Sequence, residues 1–260
     1  MEETNINNNF FKIYNEKCED TMKNNILPKS IDLIFTSPPY NMTKRKGGYA
    51  DSGRYDEFQD WKEQEEYIEW TNSIFNNFDE VLKENKLVIY NFSYSIENPS
   101  LPYKIVSSIE NNTNFTLVDT IIWKKKCGLP FPANKYRLSR NWEYIWIFCR
   151  KKEIDKFDIF KPISSVGKNG QTYYKTFYNF IEAKNNDNKT PFNQATYSTE
   201  LVNKLLEIYG EENYIVYDPF CGTGTTGVGC KINNMSFIGS EISKFQCKYS
   251  IQRIKGDNNG

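Results

Sequence analysis

The chain has 260 residues, and its 33 Lys and Arg balance 33 Asp and Glu, leaving no formal net charge. That length suits one α/β domain with an insertion, or two small domains, and 18 Tyr, 18 Phe and 5 Trp exclude a disordered chain. There is no His, which excludes Ser-His-Asp, Cys-His and His-metal chemistry.

The first predicted elements are a strand near Phe11–Tyr14, a short helix over Glu19–Asn24 and a turn at Pro28-Lys29-Ser30. Ile31-Asp32-Leu33-Ile34-Phe35 then reads as a central strand of a parallel sheet, ending where Pro38 and Pro39 cannot continue a ladder. Residues 41–60 are polar and read as a loop. Trp61–Glu84 has helical spacing, with Tyr67, Trp70, Ile74, Phe78, Val81 and Leu82 on one side. Leu87–Phe92 is the next strand and Leu101–Asn111 a helix. Phe115–Trp123 and Trp142–Cys149 form an antiparallel pair joined by the basic loop 124–141. Residues 151–195 are polar and irregular apart from Tyr173–Ile181, and read as an inserted specificity segment. A helix at Thr199–Tyr209, a strand at Tyr214–Tyr217, a glycine-rich turn, a helix, a strand at Ser236–Gly239 and a helix from Lys244 complete the chain. This order predicts a doubly wound, mostly parallel α/β sheet with an antiparallel edge hairpin.

Two motifs carry chemistry. Asp218-Pro219-Phe220-Cys221-Gly222-Thr223-Gly224-Thr225-Thr226 follows a strand directly. Its glycines let a ligand approach the backbone where a helix start offers free N–H groups. Glu241, at the end of the next strand, is placed to accept ribose hydroxyls. A phosphate loop is excluded, because Cys230 stands where its Lys belongs and the charge of Asp218 repels phosphate. A carboxylate there suits a cationic amino group or a sulfonium. The second motif is Thr36-Ser37-Pro38-Pro39-Tyr40. Ser-Pro-Pro-Tyr arises by chance in on the order of one in a thousand chains of this length. Ligands of open α/β sheets bind beyond the carboxyl ends of strands, and both motifs sit at such ends.

Together these residues resemble the S-adenosylmethionine-dependent DNA amino-methyltransferases. The catalytic Ser-Pro-Pro-Tyr comes early and the glycine loop late, which is similar to the beta group of that family. The resemblance covers roughly residues 11–150 and 195–255, and implies a Rossmann-like methyltransferase domain. It makes residues 1–150 the catalytic half, 151–195 a target-recognition insertion and 196–260 the cofactor-binding half. It implies Ser37, Pro38, Pro39 and Tyr40 as catalytic. It assigns Thr36, Asp218, Pro219, Phe220, Gly222, Gly224, Thr225, Thr226 and Glu241 to S-adenosylmethionine. Trp142-Glu143-Tyr144-Ile145 resembles the strand after the family's basic loop. One departure is Glu16-Lys17-Cys18, where the family often carries Gly-Asp-Cys; Lys17 cannot replace that Asp as an acceptor.

The implied reaction is methyl transfer to the exocyclic amine of a flipped base, with cytosine N4 favoured by the Ser before Pro-Pro-Tyr and adenine N6 as the alternative. A relative without turnover that binds DNA would follow from Lys17, and an RNA or protein-glutamine substrate is a more distant alternative. Ser37 Oγ and the Pro38 carbonyl would draw the amine toward sp3 geometry, while Tyr40 stacks on the base. Ring-carbon methylation is excluded, since none of the six Cys follows a Pro. Those Cys have no C-x-x-C spacing and read as buried free thiols, with no metal. Lys44, Arg45, Lys46, Lys124, Lys125, Lys126, Lys135, Arg137 and Arg140 cluster with Phe131 and Tyr136, as phosphate contacts and a base wedge require. The expected partners are double-stranded DNA and a cognate restriction endonuclease, with the protein a monomer or homodimer. No apolar run approaches the roughly 20 residues of a membrane span, and no signal-peptide pattern opens the chain. A soluble cytoplasmic protein is expected.

Overall fold

A computed structural model describes residues 1–41, 62–93, 98–127, 138–157, 159, 161–187 and 196–256. The elements are β1 (Glu2–Ile6), β2 (Asn9–Tyr14), α1 (Cys18–Asn24), β3 (Ile31–Thr36), α2 (Gln64–Val81), β4 (Leu82–Phe92), α3 (Leu101–Asn112), β5 (Phe115–Lys125) and β6 (Trp142–Arg150). A 3-10 turn at Lys151–Lys156 follows, then β7 (Ile163–Val166), β8 (Thr172–Tyr174), β9 (Phe180–Ala183), α4 (Thr199–Tyr209), β10 (Ile215–Asp218), α5 (Thr225–Ile232), β11 (Ser236–Ser240) and α6 (Lys244–Lys255).

Nine strands form one sheet in the order β1-β2-β11-β10-β3-β4-β6-β5-β9, and β7 pairs with β8 apart from it. The run β2, β11, β10, β3, β4 is parallel, while β6 is antiparallel to both β4 and β5. All six residues of β3 are buried, as a strand covered on both faces requires. Its side chains alternate between two cores. Leu33 and Phe35 meet residues of α4, α5 and α6, including Leu201, Val202, Cys230 and Ile254. Ile31 and Ile34 meet residues of α1, α2 and α3, including Met22, Phe78 and Ile105. Helices therefore cover both faces, the doubly wound arrangement that the order of elements implies.

Three details differ from the sequence reading. The helix expected over Trp61–Glu84 spans Gln64–Val81, because Leu82 pairs with Ile31 and draws the following residues into β4. The antiparallel hairpin forms as expected, but β9 lies outside it, parallel to β5, with Ile181 and Ala183 buried. At the opposite edge β1 is an unpredicted strand. It folds back on β2 through Asn7 and Asn8, both at positive φ as a two-residue hairpin turn requires.

The topology fixes the site. From β3 the chain crosses one face through α2 to β4, whereas from β10 it crosses the other face through α5 to β11. The crevice beyond the adjacent ends of β3 and β10 is thus the switch point at which ligands enter such sheets.

Candidate active site

Beyond β10 the chain turns through Pro219, Phe220 and Cys221 to Gly222 (φ 48°) and Gly224 (φ 77°) before α5 begins. A Cβ on Gly224 would come within 2.9 Å of the Ser250 Cβ, so α6 and the turn approach as closely as glycine allows. The Gly222 N–H donates to Glu241 Oε2 at 3.0 Å, and Glu241 Oε1 accepts from the Ser243 N–H at 2.8 Å. Ser250 Oγ donates to the Gly222 carbonyl at 2.6 Å. Arg253 binds the Thr223 carbonyl and Thr225 Oγ1 from the same side.

Asp218 does not extend toward a ligand, as its charge alone led one to expect. It is 1% exposed. Its Oδ1 accepts from Thr36 Oγ1 at 2.7 Å and the Phe220 N–H at 3.1 Å, while Oδ2 accepts from Thr226 Oγ1 at 2.6 Å and Tyr197 at 3.2 Å. Burial raises its pKa even though the Thr226, Thr36, Phe220 and Tyr197 donors act in the opposite direction. Thr36, Thr225, Thr226 and Pro219 are buried too. These five residues shape the loop from beneath, whereas Phe220, Gly222 and Glu241 retain exposed surface. Phe220 lies beside Trp70, with ring centroids 5.6 Å apart.

What remains accessible is an aromatic pair, a left-handed glycine and a carboxylate already oriented by two backbone amides. That donor set fits a nucleoside with a vicinal diol and suits phosphate poorly. Lys231, near the end of α5, donates to the Ile254 and Lys255 carbonyls, and Arg253 is engaged by Thr223, Thr225 and Asp187.

The Ser37–Tyr40 loop leaves β3 alongside this turn. Ser37 Oγ lies 2.8 Å from the Tyr40 hydroxyl, which itself lies 3.0 Å from both Asn91 Oδ1 and Glu143 Oε2. Asn91 Nδ2 donates to Glu143 Oε2 at 3.2 Å and to the Tyr144 carbonyl at 2.9 Å. Lys125 pairs with Glu143 Oε1. Tyr67, on α2, donates to the Pro39 carbonyl. The Tyr40 ring packs on Phe92 at 5.1 Å, and Phe92, Trp146 and Tyr144 continue as a stacked aromatic wall. Asn91, Glu143, Tyr67 and Tyr197 were not singled out by their sequence. For Glu143 a signal existed, because it is the one acidic residue in an otherwise apolar and aromatic strand, Trp142–Arg150.

The basic group behaves differently from the expectation of phosphate-facing lysines. Lys124, Lys125 and Lys126 each meet a carboxylate of the chain itself, Glu182, Glu143 and Glu200 respectively. The cause is β9 and α4, which bring Glu182 and Glu200 to the end of β5. Arg140 is half-buried. Lys44, Arg45, Lys46, Lys135 and Arg137, with Phe131 and Tyr136, lie outside the described residues, as does most of the loop 41–60. Lys17 is exposed at the start of α1, and the neighbouring Glu16 accepts from Thr21 and Asn25. All six cysteines are free thiols, and five are buried; Cys127 is the exception and is exposed. Burial raises the Cys149 thiol to about 11 and that of Cys247 to about 12. Among the described residues no cluster of Cys, Asp or Glu could hold a metal ion, and no helix is long and apolar enough to cross a membrane.

A family model described as DNA methylase matches the chain over residues 31–252, a span that holds both loops. The chain belongs to the N6/N4 DNA methylase family. Its curated relatives include the type II methyltransferase M.BglII of Bacillus subtilis, 26% identical over 95% of this chain and 69% of that one. The type II methyltransferase M.HinfI of Haemophilus influenzae is 28% identical, over 98% of this chain and 71% of its own. Among solved structures, the cytosine-N4-specific PvuII DNA methyltransferase superposes with a TM-score of 0.72 at 20% identity, covering 96% of this chain and 88% of that one. M1.HpyAVI, solved as a complex with S-adenosylmethionine, gives a TM-score of 0.60 at 21% identity, covering 94% and 99%. These structures share the methyltransferase fold with this family member.

Proposed function

We propose that this DNA methylase transfers a methyl group from S-adenosylmethionine to the exocyclic amine of a base turned out of duplex DNA, with cytosine N4 as the preferred target. The observation that carries this reading is the Thr36–Asp218 hydrogen bond. It joins the Ser-Pro-Pro-Tyr loop to the glycine loop across 182 positions of chain, so both act on one crevice. The cofactor supplies a methyl group made electrophilic by a positively charged sulfur. Glu241 holds the ribose hydroxyls, Gly222 and Gly224 admit the methionyl part, and Phe220 with Trp70 meets the adenine.

The amine lone pair is delocalised into the base ring, which is the obstacle to attack. Ser37 Oγ and the Pro38 carbonyl accept its two N–H groups and localise the lone pair toward the methyl. Tyr40 and the aromatic wall behind it hold the base by stacking, and positioning supplies most of the rate. Residues 1–150 form the catalytic half, 151–195 read the DNA sequence, and 196–260 form the cofactor half. Phosphate contact falls to Lys44, Arg45, Lys46, Lys135, Arg137 and Arg140, which flank the catalytic loop or the aromatic wall in sequence.

Mass spectrometry of DNA from cells expressing the protein tests the reading. N4-methylcytosine is expected. N6-methyladenine would keep the reaction and replace the target, whereas the absence of both would reject the function.

A further inference from the structure

We propose that Glu143 is the terminal acceptor of the proton released on methylation, reached through the hydroxyls of Ser37 and Tyr40. The inference rests on the amino-methyltransferase reading above. An exocyclic amine enters the reaction with two N–H bonds and leaves with one, so a proton must depart. The methylated nitrogen is strongly acidic before that loss, because its lone pair was shared with the ring. An ordinary carboxylate suffices to take the proton.

The path is continuous. Ser37 Oγ, positioned against the amine, is 2.8 Å from the Tyr40 hydroxyl, and that hydroxyl is 3.0 Å from Glu143 Oε2. As the N–H bond breaks, its electrons remain on nitrogen and its proton passes to Ser37 Oγ. The original Ser37 proton moves to Tyr40, and the Tyr40 proton moves to Glu143. Both hydroxyls end as they began, and Glu143 ends protonated.

The surroundings of Glu143 fit this task. It is 8% exposed, away from the bulk water that would otherwise compete for the proton. The groups facing it are the Lys125 ammonium on β5, the Asn91 amide on β4 and the Tyr40 hydroxyl of the catalytic loop. Lys125 occupies Oε1 and Asn91 braces Oε2, which leaves Oε2 directed at Tyr40. The Tyr40 hydroxyl lies 3.0 Å from Asn91 Oδ1 as well as from Glu143 Oε2, and of these two acceptors only the carboxylate is basic enough to keep the proton.

Single-turnover methyl transfer across neutral pH, in Glu143→Gln, Glu143→Asp and Tyr40→Phe, tests the relay. Glutamine keeps the shape and an acceptor oxygen but cannot take the proton. Glu143→Gln and Tyr40→Phe are expected to slow transfer roughly 10²-fold. The residual Glu143→Gln rate should rise with pH as solvent hydroxide takes over, whereas Glu143→Asp, which keeps a carboxylate, should recover part of the lost rate. Cofactor affinity by calorimetry and extrusion of a fluorescent base analogue should stay unchanged in Glu143→Gln. A wild-type rate in Glu143→Gln overturns the relay while leaving the methyltransferase reading intact. Equal losses in Glu143→Gln and Glu143→Asp, with unaltered pH dependence, also overturn it. A wild-type protein that transfers no methyl group removes the parent reading and the relay with it.

Discussion

Asp218 gathers four donors while almost wholly removed from water, and its truncation leaves Thr36 and the Phe220 N–H in want of that acceptor and Tyr197 and Thr226 with only each other. Asp218→Ala is therefore expected to lower stability by about 2–4 kcal/mol in denaturant titration, and to weaken cofactor binding and transfer together. The pH dependence has an unusual sign. Burial raises the folded-state pKa of this carboxyl, so its contribution is fullest below the unfolded value and is lost as pH rises through the folded one. The stability gap between wild type and Asp218→Ala should accordingly narrow as pH rises through that range. On the proposed mechanism, Ser37→Ala removes a group that acts on the amine alone. Its single-turnover transfer should fall about 10²-fold with cofactor affinity by calorimetry unchanged, and a matching loss of affinity would contradict the division of roles. At this scale the motifs were legible because glycine, proline and charge at a strand end have few other uses. Which way Asp218 faces was not. That depends on Tyr197 and Thr226, whose proximity is a tertiary fact.

Elements were legible where periodicity was strong. The helix Thr199–Tyr209 and the buried strand at Ile31 follow directly from their apolar spacing. Two edge strands were not, because β1 is polar with alternate residues exposed, and β9 buries only Ile181 and Ala183. The missed β9 also altered the meaning of the basic loop, since it carries Glu182 to Lys124 and leads toward Glu200 on α4. The Lys126 hydrogen bond, with help from the Lys184 N–H and Lys204, lowers the Glu200 pKa to about 2. A depressed carboxyl contributes stability above its unfolded value, and that contribution is lost as pH falls toward about 2. Lys126→Met should thus cost less than about 1 kcal/mol at neutral pH, the scale of a partly exposed pair. Thermal unfolding at a series of pH values should show this cost fading in acid.

Across the whole molecule, neither crevice-forming loop is held by its own neighbourhood alone. Arg253 reaches from α6 to Thr223 and Thr225 and also binds Asp187, so the last helix fastens the glycine loop to the end of the 151–195 segment. Thr36 fastens the same loop to the Ser-Pro-Pro-Tyr one. A feature of this kind gives the two substrates a means of coupling, and coupling is reciprocal: whatever factor a bound donor adds to the affinity for DNA, DNA must add to the affinity for the donor. Thr36→Val severs the connection while preserving the shape of the side chain. Calorimetry with S-adenosylhomocysteine and a target duplex, each titrated with and without the other, should show both cross-effects shrinking by one common ratio. Cooperativity between nucleoside cofactor and nucleic acid would then trace to a single threonine hydroxyl.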